Sequence, residues 1–250
     1  MRTALALIPL LALAACGGDD ANNSTPPVSS TPVAESKAPN GQNWADVVAK
    51  TPEGGYVQGN PNAPIKLVEY GSRGCPVCGR FATEGVEPLR KNYISTGKVS
   101  YEFRDFLVHG APDFAAALLN QCVPTENFFN VLDGLFANQL QFEERLMNLQ
   151  RSNPQVIQQM QTMQPAQQAA LMADQLGYVE YMKQQGLPED KARACLADTK
   201  AIEAIAKTNA DAVNVYNAQG TPTFFINGKM VPNVASWGGL EPALKAAGAR

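Results

Sequence analysis

The alternation of apolar and polar positions divides the chain into stretches of three kinds. The first is an apolar run at the start, "MRTALALIPLLALAAC", residues 1–16, with Arg2 as its one charge. It is too short to predict a membrane-spanning helix. The second kind reads as strand. "IKLVEYG", residues 65–71, is an apolar strand carrying one acid, Glu69. "KVSYEFRDF", residues 98–106, alternates apolar with polar. "TPTFFING", residues 221–228, ends in Asn227-Gly228, a turn that leads into "KMVPN" as a hairpin partner. The third kind reads as helix. Phe81, Val86, Leu89 and Tyr93 recur at helical spacing and predict a helix over 76–94, interrupted by Gly85 and Pro88. "NWADVV", residues 43–48, predicts a short helix capped by Asn43.

From 112 to 218 strand character disappears. "DFAAALLNQCV" and "NFFNVLDGLFANQL" have a helical period, and leucines and methionines recur through the Gln-rich stretch 139–185. Residues 198–216 predict a strong helix with Asp198 as cap, and a last helix covers 239–247. Without the helical block, the order of elements is that of a short mixed sheet flanked by helices. The predicted class is α/β with an inserted all-helical domain. Residues 42–110 and 198–250 form its two sheet-bearing parts, and 111–197 form the insertion.

The N-terminal run changes the picture of location. One positive charge, an apolar core and small residues at its end make residues 1–15 a secretory signal. Leu13-Ala14-Ala15-Cys16 resembles a bacterial lipobox, in which Cys16 becomes the lipidated first residue. The alternative is ordinary cleavage after Ala12-Leu13-Ala14. The tract that follows, 17–41, is rich in Gly, Ser, Pro and Asn and lacks aromatic residues. It cannot bury enough surface to offset its ordering entropy, so 16–41 reads as a flexible tether. About 25 such residues reach roughly 25–30 Å. The expected address is the bacterial cell envelope, facing the periplasm and held to the membrane by N-terminal lipid. Composition adds only exclusions. In 250 residues the net charge is −3 with no block of like charges, which argues against a nucleic-acid partner.

Five cysteines carry the chemistry: Cys16, Cys75, Cys78, Cys122 and Cys195. If Cys16 is lipidated, four remain, and four allow three pairings. An exported chain tends to oxidise its thiols, and Cys122 with Cys195 reads as one structural disulfide. Cys75 and Cys78 form a CxxC after a strand and before a helix. A zinc site is disfavoured, because there is no second CxxC and His109 stands alone, better read as a surface residue. An inert disulfide is the other alternative. The redox reading rests on position. Cys75 precedes Pro76, which suits the first helical position because its missing N–H costs nothing there. The open N–H groups and positive dipole end then favour a thiolate on Cys75. Cys78, one turn further in, can resolve a mixed disulfide.

"VEYGSRGCPVCGRF" and "GTPTFFINGKMVPN" together resemble the DsbA-like thiol:disulfide oxidoreductases of the thioredoxin superfamily, over about residues 54–250. The resemblance implies a thioredoxin fold interrupted by a helical domain, with Cys75 as nucleophile and Cys78 as resolving thiol. It implies a cis peptide bond between Thr221 and Pro222, facing the CxxC. Such a bond turns the Thr221 backbone outward, where an extended substrate can pair. It makes Glu69, six before Cys75, a buried acid that takes the proton of Cys78; an outward-facing strand-end residue is the alternative. Arg73 reads as a solvated loop residue. Two departures matter. The oxidases carry CPHC, whereas Val77 stands in the dipeptide here, and its side chain cannot donate to a sulfur. Thr221 precedes the proline, as is common in the isomerases of the family.

The expected activity is exchange of the Cys75–Cys78 disulfide with cysteines of exported envelope proteins, as oxidant in disulfide formation, with no cofactor and no metal. A membrane redox partner would reset the pair. Reduction or isomerisation at the same site is one alternative; a non-enzymatic, peptide-binding lipoprotein is another.

Overall fold

The computed structural model describes residues 27–250. The signal and Cys16 lie outside the described residues, as does the first part of the tether. Among the described residues no helix is long and apolar enough to cross a membrane.

Among the described residues six strands form one mixed sheet: β1 Val48–Lys50, β2 Tyr56–Gln58, β3 Ile65–Gly71, β4 Val99–Asp105, β5 Thr223–Ile226 and β6 Lys229–Met230. Their order is β1-β2-β4-β3-β5-β6. Only β3 and β4 run parallel, joined by α1 Pro76–Leu89, while β5 lies antiparallel to β3 and forms a hairpin with β6. This is the thioredoxin arrangement, an α/β fold.

Two strands were not legible in the hydrophobic pattern. β1 and β2 are three residues each, too short to show a period, and the predicted helix over 43–48 is a single turn at Trp44–Asp46. Asn43 does cap it, accepting from the Ala45 N–H at 2.9 Å. The hairpin is held by tertiary contacts. β2 pairs with β4, and Tyr56 stacks face to face on Phe128 with ring centroids 3.8 Å apart. The alternation of β4 does not mark a solvent face, because every residue of that strand is buried. Its polar positions are satisfied internally: the Arg104 guanidinium donates to both Glu102 carboxylate oxygens and to the Tyr70 hydroxyl. The helix over 76–94 is α1 followed by a wider π-type turn at Arg90–Ile94, just past Pro88.

The helical block runs through α2 Ala111–Gln121, α3 Phe128–Ala137, α4 Gln139–Ser152, α5 Pro154–Met160, α6 Pro165–Leu176, α7 Tyr178–Gln184 and α8 Glu189–Leu196. Then come α9 Thr199–Asn214, capped by Asp198, and α10 Trp237–Ala246. The block has its own core, built on α2, α6 and α7. It is not a detached cap, however. Phe128, Phe129, Leu132 and Phe136 of α3 enter the core of the sheet beside Phe81, Tyr101 and Phe103. Cys122 at the end of α2 and Cys195 of α8 are disulfide-bonded, with Cα atoms 6.1 Å apart.

Part of the predicted tether is docked. The N–H groups of Ser29 and Val33 donate to the carbonyls of Ala246 and Gly248, and Ser36 donates to Thr96. Arg250 donates to the carbonyls of Ser29 and Ser30. Backbone groups anchor this stretch, which is why its side-chain composition gave no sign of it.

The disulfide closes a loop of 73 residues. Replacing Cys122 and Cys195 together by alanine is expected to lower the free energy of unfolding by roughly 2–4 kcal/mol. Denaturant titration of the reduced-CxxC protein checks this, and an unchanged midpoint would contradict it.

Candidate active site

β3 ends at Gly71, buried in the core, and the chain turns through Ser72-Arg73-Gly74 into α1. Cys75 is the N-cap of α1, with φ −83° and ψ 117°, and Pro76 takes the first helical position. No side chain caps this helix end. The cysteine sulfur occupies that place, where the first-turn N–H groups have no partner within the helix. Cys75 and Cys78 are both free thiols and both buried, Cys78 completely.

The two sulfurs have opposite electrostatics. The Cys75 thiol is lowered to about 5. The Cys78 thiol hydrogen bond contributes most, burial opposes it, and the Thr221 side chain and the backbone N–H groups of Cys78 and Val77 add to the lowering. Thus Val77 contributes through its backbone, although its side chain cannot. Cys78 is pushed well above the usual thiol range, first by burial, then by its hydrogen bond to Cys75 and by the nearby Glu69. The peptide bond between Thr221 and Pro222 is cis, and the protonated Cys75 Sγ donates to the Thr221 carbonyl oxygen at 3.3 Å. The residues just before β5 therefore lie against the Cys75 sulfur.

Glu69 is buried in the middle of β3, between Phe103 on β4 and Phe224 on β5. Its Oε2 accepts from the Tyr101 hydroxyl at 2.6 Å, while Oε1 has no partner. Burial raises its carboxyl to about 8; Tyr101 opposes this, and the Cys75 anion adds to it. At neutral pH Glu69 is thus a largely protonated acid close to both sulfurs. It can exchange a proton with a neighbouring thiol near neutral pH.

Arg73 is not the solvated loop residue that its position suggested. It is buried and ion-paired with Asp105, and it donates from Nε and Nη2 to Asn120 Oδ1 at 3.1 and 2.8 Å. Its guanidinium lies over the rings of Phe103 and Phe128. An arginine in a short loop has no periodic signal. The acid at the end of β4 and the amide on α2 that receive it are far away in sequence.

Two further side chains from the helical block reach this loop. Asp113, buried on α2, accepts from the Ser72 hydroxyl and the Gly74 N–H, both at 2.6 Å, and from the His109 N–H at 3.0 Å. Gln139, at the start of α4, donates from Nε2 to the carbonyls of Arg73 and Cys75 at 2.7 and 2.9 Å. Tyr101, Asp113 and Gln139 were missed in the sequence. Gln139 is one glutamine in a Gln-rich stretch and carries no local mark.

His109 is exposed, as expected, but it sits at the mouth of the site, its side chain against Gly74. It helps line a groove of about 260 Å³ that runs from Gly74 and Pro76 to Phe142, Glu143, Leu146 and Met147 of α4. Exposed Val108, Leu140 and Met147 flank this groove or the elements that form it. A larger cavity, about 580 Å³, involves Lys66, Tyr70, Glu102 and Arg104, but no residue of the CxxC or of the Thr221–Pro222 turn lines it. Among the described residues no group of three or more His, Cys, Asp or Glu is placed to hold a metal.

Comparison with known proteins agrees with this geometry. A family model described as Thioredoxin matches residues 51–246. A putative protein-disulfide oxidoreductase of Rickettsia felis is 28% identical over 214 residues, spanning 85% of this chain. The chain spans only 66% of the length of that relative. Disulfide bond formation protein D of Bacillus subtilis is 25% identical over 202 residues, covering 80% of this chain and 81% of the relative. A solved protein-disulfide isomerase from Novosphingobium aromaticivorans superposes with a TM-score of 0.71 at 27% identity, covering 77% of this chain and 96% of its own. Wolbachia pipientis alpha-DsbA1 shares the fold at a TM-score of 0.57 and 24% identity, covering 77% of this chain and 91% of its own.

The two titrations are testable in the reduced protein. Thiolate absorbance should show Cys75 ionising with a midpoint near the lowered value of about 5. A thiol lowered on folding stabilises the folded reduced form. That stability is complete above the ordinary thiol value and is lost as pH falls through about 5. Glu69 has the opposite sign. Its raised carboxyl leaves full stability below the ordinary carboxylate value, and stability declines as pH rises towards about 8. Glu69→Gln removes this decline and should be more stable than the parent at pH 7 by roughly 1–3 kcal/mol. Identical stability–pH slopes for parent and variant would refute the buried-acid assignment.

Proposed function

The chain belongs to the DsbA-like branch of the thioredoxin family, and from this we propose that it is a thiol:disulfide oxidoreductase that oxidises cysteines of exported envelope proteins. One observation carries the direction: the Cys75 sulfur at the open end of α1, with its thiol lowered to about 5. A stabilised thiolate is a good leaving group and favours the reduced form, so the Cys75–Cys78 disulfide tends to accept electrons.

In the forward reaction a substrate thiolate attacks the Cys75 sulfur of the disulfide. An S–S bond forms between substrate and Cys75, and Cys78 leaves. The protonated Glu69 beside it gives its proton to the leaving Cys78 thiolate, whose proton affinity is high, and is reprotonated from solvent, which took up the proton of the substrate thiol. A second substrate thiolate then attacks the substrate sulfur of the mixed disulfide. The substrate disulfide forms, and Cys75 departs as a thiolate that the N–H groups of α1 and Thr221 hold. The outward backbone at Thr221–Pro222 offers an extended substrate segment a strand partner. The groove along α4 offers apolar contact, which suits unfolded polypeptides. A membrane redox partner regenerates the disulfide, and a lipidated Cys16 keeps the protein at the membrane surface.

Isomerisation is the second reading. It is favoured by Thr221 before the proline and by the likeness to the Novosphingobium aromaticivorans isomerase. Equilibration with glutathione and stoichiometric oxidation of a reduced, unfolded protein separate the two. The oxidase reading expects rapid transfer of one disulfide per molecule and a mostly oxidised pool in cells. Cys75→Ser should abolish transfer, whereas Cys78→Ser should accumulate mixed disulfides through Cys75. A pool that is mostly reduced in cells, with efficient rearrangement of scrambled disulfides, would replace oxidation by isomerisation. Full function of Cys75→Ser would leave only a peptide-binding role.

A further inference from the structure

We propose that Gln139, supplied by the inserted helical block, is a positioning residue that holds Cys75 so that its sulfur stays over the free N–H groups of α1. The tripeptide Arg73-Gly74-Cys75 is irregular backbone, and its carbonyls have little local partnership. The Cys75 carbonyl accepts the ordinary helical bond from the Gly79 N–H at 3.0 Å. Its second lone pair, and the carbonyl of Arg73 two residues earlier, both receive the Gln139 amide, at 2.9 and 2.7 Å. One NH₂ group therefore fixes the Arg73–Gly74 and Cys75–Pro76 peptide planes, on either side of the Gly74–Cys75 peptide. Those planes set the ψ of Cys75 and thus where Sγ points.

The fit is closed on the other side. A Cβ at Gly79 would come within 2.3 Å of Gln139 Oε1, so the residue that follows the CxxC must be glycine for this amide to reach the loop. Asp113 holds the opposite edge of the tripeptide through the Gly74 N–H. Gln139 is the member of this pair that presents donors towards Cys75. It is buried, so its dipole acts where solvent screening is weak. By holding the Arg73 and Cys75 carbonyls, the amide keeps the sulfur over the helix end.

The titratable and charged groups around Cys75 are Cys78, Glu69 and Glu143, with Arg73, His109 and Asp113 at the loop itself. Arg73 is paired with Asp105, and none of these side chains is hydrogen-bonded to Gln139. Losing the amide would therefore not be compensated by a nearby charge.

The inference rests on Cys75 being the attacking sulfur. The experiment uses the full chain with Gln139→Met, which keeps size and burial but removes both donors, and Gln139→Glu, which keeps the shape and replaces donors by a carboxylate. Thiolate absorbance of the reduced proteins is followed against pH, with thermal unfolding in parallel. The expected result is that half-ionisation of Cys75 needs about tenfold lower proton concentration in Gln139→Met, and lower still in Gln139→Glu. Redox equilibrium with glutathione should shift by a similar factor towards the disulfide. A titration within twofold of the parent in both variants overturns the inference, and loss of thermal stability alone would then assign Gln139 to structure only. Substrate oxidation by the unaltered protein is measured alongside. If that fails while the titration shifts, the functional reading falls and the role of Gln139 stands.

Discussion

The structure depends on holding a sulfur anion at a helix end inside an apolar core. An anion there needs donors that are fixed, close and unclaimed by other acceptors. The first turn of α1 supplies them because no side chain caps it and because Pro76 has no N–H to offer or to waste. Cys75 takes the cap position itself. The rest of the site follows from that choice. β3 must deliver the chain to the helix start, β5 must bring Thr221 against the sulfur, and Cys78 must lie one turn deeper, where water does not reach it.

A loop that short cannot hold itself. Arg73 is buried in an ion pair with Asp105 and shared with Asn120, so the loop is tied to both the end of β4 and the last turn of α2. Burying such a pair is a poor source of stability in itself, since desolvation offsets most of the attraction. What it fixes is relative position. The guanidinium lies between aromatic rings from the sheet and from α3, so the two lobes cannot shift without uncovering a charge. Tyr56 stacked on Phe128 joins the edge hairpin to the same cluster. The helical block is in this sense part of the active site's scaffold.

The sequence showed best what depends on local pattern. Strands β3, β4 and β5, the helix after Cys75, the cap at Asp198 and the long helical block all follow from periodicity and punctuation. Cys75, Pro76 and Cys78 were legible because three neighbouring residues carry the chemistry. Features that depend on contacts across the fold were not. β1 and β2 exist because β4 and Phe128 receive them. The docking of residues 29–36 uses backbone groups that composition does not reveal. Arg73 looked like any arginine in a glycine-rich turn, and its buried partners are 32 and 47 residues away. Tyr101 and Gln139 act on Glu69 and Cys75 through single hydrogen bonds from distant elements, and such bonds leave no spacing to read.

Val77 poses a physical question that the geometry answers. A dipeptide without a charged or hydrogen-bonding side chain removes the nearest source of thiolate stabilisation. The site compensates by distributing that task. The Cys78 thiol donates directly, the N–H groups of Val77 and Cys78 contribute from the helix, and Thr221 contributes from the opposite loop. Burial works against the anion at both sulfurs, but unequally. Cys75 is close to its donors, and its neighbours Gly74 and Pro76 line the surface groove, while Cys78 is enclosed beside an acid with one unpartnered oxygen. The asymmetry between the Cys75 and Cys78 sulfurs is therefore set by depth and by backbone. A site built this way keeps the Cys75 thiol low while the Val77 side chain packs, partly buried, against the core.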